Sequence, residues 1–262
     1  MGGALVVIPT YDERENLGPI VRRVRAAVPA CSVLVVDDGS PDGTGEVADQ
    51  LAASDPAVHV LHRHGKDGLG AAYLAAFDWA LGRGYDPIVQ LDADGSHLPE
   101  ELPSLLEALE ARDGAGRTPD VVIGSRWVAG GSVVNWPRRR VWLSKVGSAY
   151  SRLLLGIPVR DATAGYRVFR ADALRDLHLE DVHTRGYGFQ VDMAWHAVMA
   201  GLQVVEAPVT FVERERGRSK MSAGIVVEAM LRVTGWGIAR RFRPATQATA
   251  AAASTERRRS RA

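Results

Sequence analysis

Short, almost purely apolar runs alternate with longer amphipathic stretches through the first 125 residues. The runs are Ala4 to Pro9, Val33 to Val36, Val58 to Leu61, Ile88 to Leu91 and Val121 to Ile123. Each has the length and character of a strand buried on both faces. Between the first two, Leu17, Ile20, Val21, Val24 and Val28 recur at helical spacing behind Asp12 and Glu15, which predict a capping box. The turn Pro41-Asp42-Gly43 then leads to Thr44, a predicted cap for a helix carrying Val47, Ala48 and Leu51. Gly65 to Gly70 turns into a helix over Ala71 to Leu81, and another helix is predicted from about Pro99 to Ala111. Strand-helix alternation of this kind predicts an α/β fold with a mostly parallel central sheet flanked by helices.

Beyond residue 125 the pattern loosens. Gly130, Gly131, Asn135, Pro137 and Arg138 to Arg140 read as a loop of functional size. Helices are predicted near 142–155 and 187–200, short strands near 165–169 and 203–212, and an amphipathic helix over about 223–241. From Pro244 onward the chain has no apolar periodicity and reads as a disordered basic tail.

Composition narrows the classes. The 262 residues are 46% hydrophobic and 24% charged, with a formal net charge of +1. That describes an ordinary globular protein rather than a nucleic-acid-coating one. One cysteine, Cys31, excludes an internal disulfide and a multi-cysteine metal site, and suits a reducing cytoplasm. No signal peptide is expected, and no window reaches the length of an uninterrupted membrane span.

The candidate chemistry lies where the predicted strands end. Ile88-Val89-Gln90-Leu91 runs into Asp92-Ala93-Asp94, two carboxylates that share a face and repel each other unless a cation sits between them. A hard divalent ion gripping substrate phosphates fits there, and a solvated turn is the plainer reading. Asp37-Asp38 closes the second strand and Pro9-Thr10-Tyr11-Asp12-Glu13 the first, so three strand ends bring acids to one sheet edge, where α/β proteins bind ligands. The dinucleotide fingerprint is missing after the first strand. A calcium-loop reading fails on His97 and Pro103, and a dehalogenase-like phosphatase would carry its Asp-x-Asp after the first strand, not the fourth. His62, His64 and His97 read as ordinary loop histidines.

Together, Ile8 to Asn16, Val36 to Thr44 and Asp92-Ala93-Asp94 resemble glycosyltransferase family 2. Gly124-Ser125-Arg126, Asp161 to Arg167, Gly186 to Gln190 and Arg214 to Lys220 extend the likeness over about residues 4 to 242. The last segment points to the polyprenol- or dolichol-phosphate mannosyltransferase branch. The resemblance implies a GT-A nucleotide-sugar transferase domain over 1–243, with a donor and metal half over about 4–125 and an acceptor half over about 126–243. The basic tail would occupy 244–262.

It further implies that Pro9, Tyr11, Glu13, Asp37 and Asp38 meet the nucleotide, and that Asp92, Ala93 and Asp94 meet the diphosphate. Asp92 and Asp94 would hold Mg²⁺ or Mn²⁺, while Ser96 stands where relatives often have a longer Gln ligand. Arg126 and Arg140 would hold the acceptor phosphate, with Asp161, Thr163 and Gln190 nearby. Arg214 and Lys220 would close over the donor diphosphate, so that Asp94, Arg126, Arg214 and Lys220 carry catalysis.

The implied reaction is inverting transfer of mannose from GDP-mannose to a polyprenyl phosphate. UDP-glucose-dependent glucosyl transfer is the alternative, and a phosphatase or a non-catalytic sugar-nucleotide-binding adaptor are rivals of other classes. The implied setting is peripheral, on the cytoplasmic face of a membrane, with a separate integral-membrane protein as a candidate partner and no nucleic acid.

Overall fold

A computed structural model describes residues 3–65, 67–177, 179, 182, 188–214 and 230–238. The chain begins β1 (Leu5–Thr10), α1 (Arg14–Ala27), β2 (Ser32–Asp37), α2 (Thr44–Ser54), β3 (Val58–His62), α3 (Leu69–Gly82) and β4 (Ile88–Gln90). A 3₁₀ turn, Pro99–Glu101, opens α4 (Leu102–Glu110), and β5 (Val121–Ser125) follows. The second half contributes β6 (Ser132–Val134), α5 (Arg138–Leu155), β7 (Arg167–Phe169), α6 (Ala171–Asp176), α7 (Phe189–Met199), β8 (Val204–Pro208) and β9 (Thr210–Val212). A last helical segment runs over 230–238, while the predicted tail lies outside the described residues.

Among the described residues, seven strands form one sheet in the order β3-β2-β1-β4-β7-β5-β8. Only β7 runs against its neighbours β4 and β5. Both halves of the chain therefore share a sheet. Period-two alternation splits the core between its faces. Leu5, Val7, Leu34, Val36 and Ile88 pack with Tyr73, Phe77 and Phe189 on one side. Val6, Ile8, Val33, Val35 and Val89 pack with Leu17, Ile20, Leu102 and Leu105 on the other. The α1 stripe of Leu17, Ile20, Val21 and Val24 is buried, and each such side chain contributes roughly 1.5–3 kcal/mol.

Four local expectations change. No side-chain cap closes α1 at its N-cap Glu13. Instead the Glu13 and Arg14 amides donate to Thr44 Oγ1 (3.0 Å) and Asp42 Oδ2 (3.2 Å) across the turn after β2. Thr44 thus serves α1, and the N-cap of α2 is Gly43, in a left-handed conformation. Arg138 to Arg140 form the first turn of α5 rather than a loop, because Pro137 supplies the pre-set φ of −60° before it. The segment before them holds β6, which pairs in parallel with β9 as a second small sheet. The described part of the 223–241 helix packs inward through Val233, which is 3% exposed, and Trp236 stacks on Trp195 at 5.7 Å.

Candidate active site

The parallel register of β1, β2 and β4 brings three strand ends together, pairing Thr10 with Asp37 and Val7 with Gln90. Asp37 is held by its own turn: the Ser40 hydroxyl donates to Oδ1 at 2.5 Å. Asp38 accepts from Arg63 at 2.5 Å, and burial raises its carboxyl against that pairing. Sequence reasoning passed over Arg63. Its signal was a cation just past β3, beside the acid that ends β2. Pro9, Tyr11 and Glu13 sit at the same edge, half-buried, and the left-handed Asp12 (φ 57°) turns the chain between them.

A cavity of about 250 Å³ opens beside this edge. Asp92, Asp94, Arg126, Arg140, Thr163, Gln190 and Arg214 all line it. Seven of the residues singled out from sequence thus converge. Asp161 lies beneath Arg126, and Ala93 is buried behind the carboxylates. Lys220 lies outside the described residues.

Within the loop after β4, the Ser96 hydroxyl and amide both donate to Asp94 Oδ1, at 2.5 and 3.0 Å. Ser96 therefore orients Asp94. The other oxygen, Oδ2, meets Arg214 Nη2 at 2.7 Å. Burial pushes the Asp94 carboxyl up, but Arg214 and Ser96 outweigh it and hold the group below the usual range. Asp92 goes the other way: enclosure raises its carboxyl and the Asp94 charge adds to the effect, although a third of the side chain (32%) still opens to the cavity. Tyr73 donates to Asp92 Oδ1 at 3.3 Å.

His97 is no ordinary loop histidine. It is 2% exposed, and its Nδ1 accepts the Asp92 amide at 3.1 Å. The ring stacks on Tyr166 at 5.0 Å and meets Phe211 edge-on at 5.3 Å. Nothing in the local pattern marked it, since the bond that gives it a role forms only once the loop folds back.

The opposite wall is cationic. Arg126 follows β5 and donates through Nε to Asp161 Oδ2 (2.7 Å) and through Nη2 to Asp161 Oδ1 (2.6 Å) and Thr163 Oγ1 (2.8 Å). Its guanidinium carbon lies 5.3 Å from the ring centres of both Trp136 and Phe211. Arg140 stacks at 4.0 Å over Trp136 and pairs with Glu213. Close return of the chain makes this corner possible: a Cβ on Gly131 would stand 2.4 Å from Ser125 O. From below, the fully buried Arg167 donates to Ala164 O (2.8 Å) and Ala162 O (2.9 Å), fixing the loop that carries Asp161 and Thr163.

The remaining wall is apolar, with Leu143, Val146, Tyr150, Val191, Met230 and Val233. Outside it, α5 exposes Trp142 (66%) and Leu153 (83%), with the cavity-lining Val146 between them at helical spacing, and Leu231 adds to the face at 68%. Arg138, Arg139, Lys145 and Arg152 are exposed on the same helix. Among the described residues, no helix is long and apolar enough to cross a membrane.

Among the described residues there is no group of three or more His, Cys, Asp and Glu side chains that could hold a metal ion. An ion at Asp92 and Asp94 would therefore draw its other ligands from phosphate oxygens and water, as Mg²⁺ habitually does. The donor set fits: two carboxylates on one loop crowd their charges, and one already holds a cation, Arg214, at 2.7 Å.

The model of the family "Glycosyl transferase family 2" matches residues 5–178. An undecaprenyl-phosphate mannosyltransferase from Micrococcus luteus is 57% identical over 238 residues, covering 91% of this chain and 95% of the relative. A polyprenol monophosphomannose synthase from Mycolicibacterium smegmatis is 57% identical over 235 residues, covering 89% and 86%. A dolichol-phosphate mannosyltransferase from Pyrococcus furiosus is 36% identical, over 85% of this chain but 60% of its own length. Among solved structures, glucosyl-3-phosphoglycerate synthase from Mycobacterium tuberculosis, in complex with Mn²⁺, UDP and glucosyl-3-phosphoglycerate, superposes with a TM-score of 0.62 at 19% identity. It matches over 89% of this chain and 80% of that one, and shares the GT-A-like fold.

Proposed function

The chain belongs to glycosyltransferase family 2, and on that premise we propose that it transfers mannose from GDP-mannose to a polyprenyl monophosphate with inversion at the anomeric carbon. One observation carries the reading: the carboxylate pair, two arginines and an apolar wall that passes outward along α5 all face one cavity. A nucleoside diphosphate needs the first, an acceptor phosphate the second, and a lipid tail the third.

The acceptor is its own nucleophile. A phosphate monoester has a second pKa of about 6 and is largely dianionic at pH 7, so it needs no general base. Holding two anions together is the harder task. Arg126, locked by Asp161, and Arg140, stacked on Trp136, bring the acceptor phosphate to the donor. An acceptor oxygen then forms the new bond to C1 as the bond from C1 to the diphosphate breaks, and GDP leaves with that electron pair. Arg214, with Lys220 following in sequence, takes up charge on the leaving group. A divalent ion held by Asp92 and Asp94 would supply further neutralisation of the diphosphate. Pro9, Tyr11, Glu13, Asp37 and Asp38 take the nucleoside at the neighbouring strand ends. The exposed apolar stripe of α5, with its flanking cations, suits a peripheral seat on an anionic bilayer, from which the lipid enters.

Purified protein with Mg²⁺ or Mn²⁺, offered several nucleotide sugars and a polyprenyl phosphate, should yield polyprenyl-phosphate mannose by mass spectrometry from GDP-mannose. Product from UDP-glucose instead would favour the glucosyl alternative. Absence of any glycolipid would overturn the reading.

A further inference from the structure

Gln190 stands in the first turn of α7, 5% exposed, yet lines the cavity. Neither Oε1 nor Nε2 of its amide has a hydrogen-bond partner among the described residues. A buried polar group left in that state costs about 1–3 kcal/mol, so such groups call for an explanation. Its surroundings supply one. Gly165, with no side chain, leaves a gap between three groups. The point where a Cβ would begin lies 3.3 Å from His97 Cε1, 3.4 Å from Asp92 Oδ2 and 3.7 Å from Gln190 Nε2.

Charge decides what fits that gap. The amide and the Asp92 carboxylate are within about 7 Å of each other by those distances, close enough that an acceptor phosphate beside Gln190, with no ion between it and Asp92, would face a like charge at low local dielectric. Of the cavity's cations, Arg126 and Arg140 gather around Trp136 and Arg214 is paired with Asp94. A neutral group that both gives and takes a hydrogen bond matches an amide, which has two donors and an acceptor. A sugar hydroxyl is such a group, and the transferred hexose is one glycosidic bond from the diphosphate that Asp92 and Asp94 would hold.

We infer that Gln190 reads a hydroxyl of the transferred hexose and so contributes to donor-sugar specificity, rather than gripping the acceptor phosphate. The inference rests on the proposed transferase reading and adds to it the group that distinguishes one sugar from another. Gly165 belongs to the same device, because any side chain there would narrow the gap between the amide and Asp92.

The test is a deoxy scan on whichever nucleotide sugar the wild type turns over. Donor analogues lacking the 2-, 3-, 4- or 6-hydroxyl are compared by kcat/KM in wild type and Gln190→Leu, with the acceptor KM measured alongside. In the wild type, one position should carry a penalty of about 10-fold or more, the scale of a lost buried hydrogen bond. Gln190→Leu should lose that penalty alone, keep the others, and leave the acceptor KM within about 2-fold. Gln190→Asn keeps the amide but withdraws it by one methylene. It is the second variant should the leucine protein fail to fold, and it should blunt the same single penalty. Identical penalties at every position in wild type and variant, or a raised acceptor KM with an unchanged donor profile, would overturn the inference while leaving the transferase reading intact. A wild type that turns over no nucleotide sugar would overturn both.

Discussion

Arg126 and Asp161 form a buried two-pronged ion pair, Nε to Oδ2 at 2.7 Å and Nη2 to Oδ1 at 2.6 Å, with the Arg126 amide also donating to Oδ2 at 2.9 Å. Asp161 is fully buried and its own amide donates to Glu206 at 2.9 Å. The carboxylate does not reach the cavity; it fixes the plane of a guanidinium that lines it. Asp161→Asn keeps the shape but removes the charge and one acceptor. It should raise the acceptor KM by about 10-fold or more while the donor KM stays within about 2-fold, because only the Arg126 fork loses its orientation. Asp161→Ala leaves a buried cation unpaired and should cost about 3–5 kcal/mol in denaturant unfolding. An unchanged acceptor KM in the asparagine variant would contradict this role.

Ser96 orients Asp94 through Oδ1, and Arg214 at Oδ2 holds its carboxyl below the usual range, so that it offers a metal a fixed, charged ligand. Asp94→Ala should reduce kcat/KM by at least about 100-fold, corresponding to several kcal/mol of lost charge stabilisation. A chelator should silence the wild type, and added Mn²⁺ or Mg²⁺ should restore it but not the variant. Full turnover by the variant, or activity indifferent to chelation, would sink the metal assignment.

How much of this was legible beforehand depends on whether a feature lives in a run or in a fold-back. Val33 to Val36 is apolar at every position, as a doubly covered parallel strand requires, and its counterparts are nearly so, with His59 and Gln90 as interruptions, so most of the sheet could be read directly. Acids at three strand ends were legible for the same reason: parallel strands end on one edge. By contrast β6 and β9 are three residues each, the first mostly exposed and the second half-buried, too short for any period to register. The capping of α1 by Thr44 and Asp42 crosses 31 and 28 residues of sequence, so local rules pointed to Asp12 and Glu15 instead. Arg138 to Arg140 read as part of a loop because nothing in three arginines announces a first helical turn.

The face of α5 makes a prediction separate from the chemistry. Trp142 and Leu153 are mostly exposed and lie outside the cavity, so replacing both with glutamate should leave the site intact. Each apolar side chain contributes about 1.5–3 kcal/mol when buried, and the added charges oppose anionic headgroups. Cosedimentation with vesicles containing anionic lipid should fall by about 100-fold or more in partition coefficient. Turnover of a short, detergent-soluble polyprenyl phosphate should be unchanged. Loss of activity on the soluble acceptor would mean that this face serves the fold rather than a bilayer.

His97 offers the sharpest contrast between two substitutions. Its Nδ1 accepts the Asp92 amide, and the ring is fixed between Tyr166 and Phe211. His97→Ala removes both the acceptor and the packing. It orphans a buried amide on the residue carrying one of the two carboxylates, at a cost of about 1–3 kcal/mol for that group. Outer partners of metal ligands typically change metal affinity by about 10–100-fold when lost, so Mn²⁺ affinity by titration calorimetry should fall by that much. His97→Asn places an oxygen near the position of Nδ1 and should recover most of the metal affinity, although not the thermal stability that the stacked ring provides. Equal metal affinity in all three proteins would show that the loop holds its carboxylates without His97, whereas equal loss in both variants would show that the ring, not its hydrogen bond, does the positioning.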